Sequence, residues 1–83
     1  MSTADVPERL RNVLADVFDV SPEQLTPETG VGSIESWDSF GHVQAILAIE
    51  AEFGVQFDPQ KIPNLTKVSL LVQELQAKNA LPA

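Results

Sequence analysis

Ser39 follows Trp37 and Asp38 and precedes His42 by three residues, at the point where a run of turn formers gives way to helical periodicity. A serine hydroxyl at a helix start has two chemical uses. It can accept a hydrogen bond from a first-turn N–H and act as an N-cap. It can also carry a phosphate ester, because the first N–H groups of a helix lack internal acceptors and lie at the positive end of the dipole. Position alone leaves both open, and the cap is the simpler. His42 lies one turn on and, when protonated, could reach a phosphate held there. No acid or nucleophile constellation surrounds it, so it reads as an exposed helix histidine.

Independent catalysis finds little support around these residues. The chain has no cysteine and a single histidine, which removes thiolate nucleophiles, disulfides and almost any structural zinc site. No general base for Ser39 is visible. At 83 residues, one domain spanning residues 1–83 is expected, burying roughly 60 to 65% of its unfolded surface and leaving little room for a deep cleft. The hydrophobic share of 43% argues against wholesale disorder. No apolar run suits a membrane span, and Met1 to Pro7 lacks the regions of a signal peptide, so a cytoplasmic protein is expected.

The formal charge is −7, unevenly distributed. Between Arg11 and Lys61 lie Asp16, Asp19, Glu23, Glu28, Glu35, Asp38, Glu50, Glu52 and Asp58, with no lysine or arginine among them. Such a middle repels nucleic acid and anionic lipid and speeds encounter with basic protein patches. The same charge also serves plain solubility.

Three substantial helices must position Ser39. Val6, Leu10, Val13, Leu14, Val17 and Phe18 form one helical stripe, with Asp5 and Glu8 in the N-cap and N3 relation, which predicts a helix from near Asp5 to about Phe18. From Asp19 to Asp38 turn formers dominate. Ser21, Pro22 and Gln24 predict a short helical turn, and Val20, Leu25, Val31, Ile34 and Trp37 predict a loop pinned to the core. The second helix is expected from Asp38 or Ser39 to Phe53, stopped by Gly54. Its wide apolar arc of Phe40, Val43, Ile46, Leu47, Ile49 and Phe53 suggests a central helix packed on more than one side. Val55 and Phe57 belong to an extended connector. Asp58–Pro59 should start a short third helix reaching about Ile62 before Pro63. The last helix is expected to be capped by Thr66, with Val68, Leu71, Val72 and Leu75 on one face, Lys78 at its end and a frayed tail from Asn79.

Asp38-Ser39-Phe40 resembles the Asp-Ser-Leu motif of acyl carrier proteins. The likeness continues through Gly41 to Val55, with its Glu50-Ala51-Glu52-Phe53-Gly54 ending, and includes Asp19 to Leu25 upstream. The resemblance implies an all-α fold, the four-helix acyl-carrier bundle with a short third helix and a long loop between helices one and two. It implies that Ser39 receives 4'-phosphopantetheine covalently from coenzyme A, and that acyl groups ride as thioesters on the thiol of that arm. A phosphopantetheinyl transferase would supply the chemistry and the magnesium, with Asp38 either helping to position that enzyme and its metal or capping the helix. The carrier would be a monomer and a substrate of other enzymes, not an enzyme.

The resemblance also implies partner docking through Asp38, Glu50 and Glu52 onto basic patches of acyl-loading and acyl-transferring enzymes. Val43, Ile46, Phe53 and Ile62 are candidates for an acyl cavity, within a set that is primarily core. Phe40 replaces the usual leucine. Gly41 and Gln44 stand where bacterial fatty-acid carriers typically have acidic residues, which points to a lipid, polyketide or other specialised pathway. Trp37 is similar to a specialised Trp-Asp-Ser subgroup and reads as an aromatic plug holding the loop. Two alternatives stand beside this reading: an aminoacyl or peptidyl carrier with the same arm, and an unmodified helical interaction scaffold.

Overall fold

The computed structural model describes residues 6–81. Among them the chain forms three α-helices and no strand: α1 (Glu8–Phe18), α2 (Ser39–Phe53) and α3 (Val68–Ala77). Two short 3-10 turns, Pro22–Gln24 and Ile62–Asn64, punctuate the connections. This is the all-α acyl-carrier-like architecture that the sequence predicts.

α1 begins later than expected. The Asp5 cap lies outside the described residues, and the N-cap is Pro7 at φ −53, ψ 134, whose carbonyl accepts the first helical bond from Arg11 N–H at 2.9 Å. A residue before proline is biased away from helical backbone, which keeps Val6 out of the helix. Leu10, Leu14, Ala15 and Phe18 are its buried face.

The long loop between α1 and α2 is tied down by its own carbonyls. Val68 N–H donates to Thr29 O at 2.9 Å and Ser69 N–H to Pro27 O at 3.0 Å. The first turn of α3 is thus satisfied by loop backbone, and the expected Thr66 cap is displaced by one residue to Lys67, which makes no side-chain cap bond. Thr66 instead offers its carbonyl to Val31 N–H at 2.9 Å. Leu25 and Trp37 are fully buried and Ile34 packs against the core, whereas Val31 is 45% exposed, so the loop is pinned by part of the expected set.

The short third helix also shifts. Asp58 starts a turn, its carbonyl accepting from Lys61 N–H and its carboxylate from Gln60 N–H. The helical turn follows at Ile62–Asn64, with Pro63 inside it. Proline is tolerated there because a first-turn N–H has no acceptor to lose. After α3, Asn79 adopts φ 60 and Ala80 N–H returns to Leu75 O at 2.8 Å, so the expected fraying does not begin at Asn79.

The core joins Leu10, Leu14 and Phe18 of α1, Ala45, Ile46 and Ile49 of α2, and Val68, Leu71 and Leu75 of α3, closed by Trp37, Phe57 and Leu65. α2 is apolar over a wider arc than this core covers. Phe40, Val43 and Leu47 stand 71%, 52% and 60% exposed, so the expectation that Val43 is core and that α2 is covered all along its apolar arc is corrected. No helix among the described residues is long and apolar enough to cross a membrane.

Candidate functional site

Asp38 is the N-cap of α2, its Oδ1 accepting from Gly41 N–H at 2.8 Å, while its carbonyl takes the first helical bond from His42 N–H at 2.8 Å. Ser39 is therefore the first residue inside the helix, and the capping task that could explain a serine here belongs to its neighbour. Its side chain is exposed. The first-turn amides of Ser39 and Phe40 have no acceptor within the helix, and they lie at its positive end. An exposed hydroxyl beside such amides fits a phosphodiester.

Gly41 makes this helix start possible. A Cβ there would lie 2.1 Å from the Ser36 carbonyl oxygen, so the loop can cross the first turn only over a glycine. The loop is locked just upstream, where Ser36 Oγ donates to Phe18 O at 2.8 Å and the Trp37 indole stacks on Phe18 with centroids 4.7 Å apart. Trp37 is the plug that its sequence position suggests.

His42 is the largest departure from expectation. It is only 7% exposed, with Nδ1 3.1 Å from Trp37 Nε1 and Nε2 2.8 Å from Ile62 O. Indole nitrogen only donates and a carbonyl only accepts, so Nδ1 must be bare and Nε2 must carry the ring hydrogen. The expected exposed histidine is corrected because Trp37 and the Ile62 turn close over it. Its spacing of three, four and seven residues from Ala45, Ile46 and Ile49 places it on the core face of α2 and signals burial, but not the pairing with Trp37 and Ile62.

An apolar groove of about 350 Å³ opens beside Ser39, lined by Val31, Ser39, His42, Val43, Ile62, Pro63 and Thr66. It is in the range of small-ligand sites. Of the residues expected to line an acyl cavity, Val43 and Ile62 are present. Ile46 is instead 2% exposed within the helical core. Phe53 lies at the far end of α2, with the Arg9 guanidinium 4.6 Å above its ring. Val31 and Thr66 meet at the groove through the Val31 N–H to Thr66 O bond described above, and Pro63 lines it beside Ile62. A larger recess of about 540 Å³ is lined by the end of α1 and the loop, including Phe18, Asp19, Glu35 and Asp38, without Ser39 itself.

The acidic docking set is differently employed than its sequence suggests. Asp38 caps α2 yet stays exposed. Glu50 is half-buried and accepts from Phe57 N–H at 2.8 Å, fastening the connector. Glu52 pairs with Arg9 at 2.8 Å. The terminal bases fold back on the acidic middle, Lys67 reaching Glu28 at 3.6 Å, so the charge asymmetry along the chain is partly erased in space.

Comparison with known proteins agrees with this geometry. A family model described as "Phosphopantetheine attachment site" matches residues 8–75. The acyl carrier protein of Thermosynechococcus vestitus is 29% identical over 80 residues, covering 96% of this chain and 99% of its own. That of Nitratidesulfovibrio vulgaris is 32% identical over 63 residues, covering 76% and 83%. The chain belongs to the acyl carrier protein family, the small helical proteins built around a phosphopantetheine attachment site. Its role is that of a carrier working with partner enzymes, and its prosthetic group is a covalently attached 4'-phosphopantetheine.

Proposed function

We propose that Ser39 carries the 4'-phosphopantetheine arm and that the protein holds acyl groups on it as thioesters for delivery to partner enzymes. The observation that carries this reading is the division of labour at the helix start. Asp38 takes the cap, leaving the Ser39 hydroxyl exposed beside the Ser39 and Phe40 amides. The arm supplies the thiol that the cysteine-free chain lacks, and this chain's residues supply the ester oxygen and the amides that face the phosphate. A phosphopantetheinyl transferase supplies the base and metal for loading.

The apolar groove beside Ser39 favours an acyl cargo over a charged aminoacyl one, because burying an unpaired ammonium in such a lining is costly. Gly41, Gln44 and the exposed Phe40, Val43 and Leu47 support partners that read an apolar face, with the exposed carboxylate of the Asp38 cap beside it, in a lipid, polyketide or other specialised pathway.

Incubation with coenzyme A, magnesium and a broad-specificity transferase should add one phosphopantetheine by intact mass, and Ser39→Ala should abolish the addition. A chain that stays unmodified beside an active control carrier would overturn the reading. Loading with a panel of acyl and amino acid donors then identifies the cargo class.

A further inference from the structure

We propose that Trp37 and His42 form a latch that sets how long a cargo the groove admits, an inference that rests on the acyl-carrier reading of Ser39. The groove has two walls. Ser39, His42 and Val43 of α2 form one, and Ile62, Pro63 and Thr66 form the other. The His42 Nε2–H to Ile62 O bond, 2.8 Å long, joins them.

Trp37 fixes the tautomer in which this bond forms. A neutral imidazole carries one hydrogen, on either nitrogen. The Trp37 Nε1–H, buried and aimed at Nδ1 from 3.1 Å, requires that nitrogen to be an acceptor and so assigns the hydrogen to Nε2, where Ile62 O receives it. The indole cannot turn away, because it is fully buried and stacked on Phe18. Ile62 O also accepts Leu65 N–H at 3.1 Å, so the latch grips the 3-10 turn at the carbonyl that organises it.

A short acyl chain fits against Val43 and Ile62 with the latch closed. A longer one must push the Ile62–Asn64 turn from α2, which breaks the His42 bond and leaves the buried His42 Nε2–H without an acceptor, while Ile62 O keeps Leu65 N–H. His42 is thus a positioning residue that acts on the cargo through Ile62.

The test uses the full chain loaded on Ser39 as a series of acyl-phosphopantetheine forms from butyryl to dodecanoyl, checked by mass. Groove occupancy is read from the methyl resonances of Val43 and Ile62, and the latch from the Trp37 indole N–H and the ring nitrogens of His42. In the unaltered protein the indole resonance should shift in step with the first chain length that displaces the turn. In His42→Phe, and in Trp37→Phe, which keeps a ring against Phe18, occupancy by dodecanoyl relative to butyryl should rise about tenfold, the factor that accompanies loss of one buried hydrogen bond. The same chain-length dependence in all three proteins, or a uniform fall in Tm with no change in occupancy, would overturn the latch. If His42→Phe does not fold, Trp37→Phe and the indole resonance decide. Failure of loading is seen first by mass, and it overturns the carrier reading itself.

Discussion

The Ser36 carbonyl oxygen lies directly over Gly41, 2.1 Å from where a Cβ would stand. Helix propensity alone says that alanine at Gly41 should stabilise α2 by about 1 kcal/mol. The contact reverses that sign, since the obstacle is backbone held by the neighbouring Ser36 and Trp37 anchors and overpacking costs about 1 to 3 kcal/mol. Gly41→Ala should therefore lower the denaturation midpoint. Gly41→Asp, which imitates the acidic residue of bacterial fatty-acid carriers, should lower it further without gaining a docking contact.

Ser39 and Asp38 should separate function from stability. Ser39→Ala is expected to change stability by no more than about 0.5 kcal/mol, because Ser39 is exposed and does not cap the helix, yet to abolish arm attachment. Asp38→Ala should cost about 1 kcal/mol, the usual loss of an N-cap. Urea titration and intact mass on the same samples compare the two.

Recognition of α2 should depend on its apolar stripe more than on its distal carboxylates. Phe40→Ala and Leu47→Ser should leave stability nearly unchanged, both side chains being exposed, and raise the transferase KM about tenfold, the equivalent of one lost apolar contact. Glu52→Gln should change that KM little, and its pairing with Arg9 predicts a stability loss below about 1 kcal/mol. Steady-state kinetics at low and high salt would decide; a KM that responds to Glu52 and salt but not to Phe40 would refute the ordering.

Trp37→Ala should cost about 3 to 5 kcal/mol, since it empties a fully buried indole site, whereas Trp37→Phe keeps the stack and should cost less. The effects of Trp37→Phe and His42→Phe should be non-additive, because each removes one end of the same bond. A double-mutant cycle by denaturation measures that coupling.

Much of the frame was legible in the sequence. The Phe18 end of α1, the whole of α2 and its Gly54 stop at φ 66 follow from periodicity and backbone freedom. The terminal caps were less legible. Pro7, Lys67 and the Ile62–Asn64 turn reflect hydrogen bonds and backbone restrictions that outweigh the nearest side-chain cap. Gly41 was visible in the sequence only as a departure from the acidic residue of bacterial fatty-acid carriers, and the Ser36 carbonyl that requires a glycine there was not legible.

Sequence by itself determined the number and order of the main helices, that the chain resembles a carrier and that Ser39 lies at the start of the central helix, because these depend on local spacing and on a motif contiguous in the chain. Only the tertiary structure decided that Asp38 and not Ser39 caps the helix, that His42 is buried between Trp37 and Ile62, and that the groove is walled by Val31, Pro63 and Thr66. Those outcomes depend on loop and turn carbonyls brought in from distant positions, and no periodicity along the chain encodes where they come to rest.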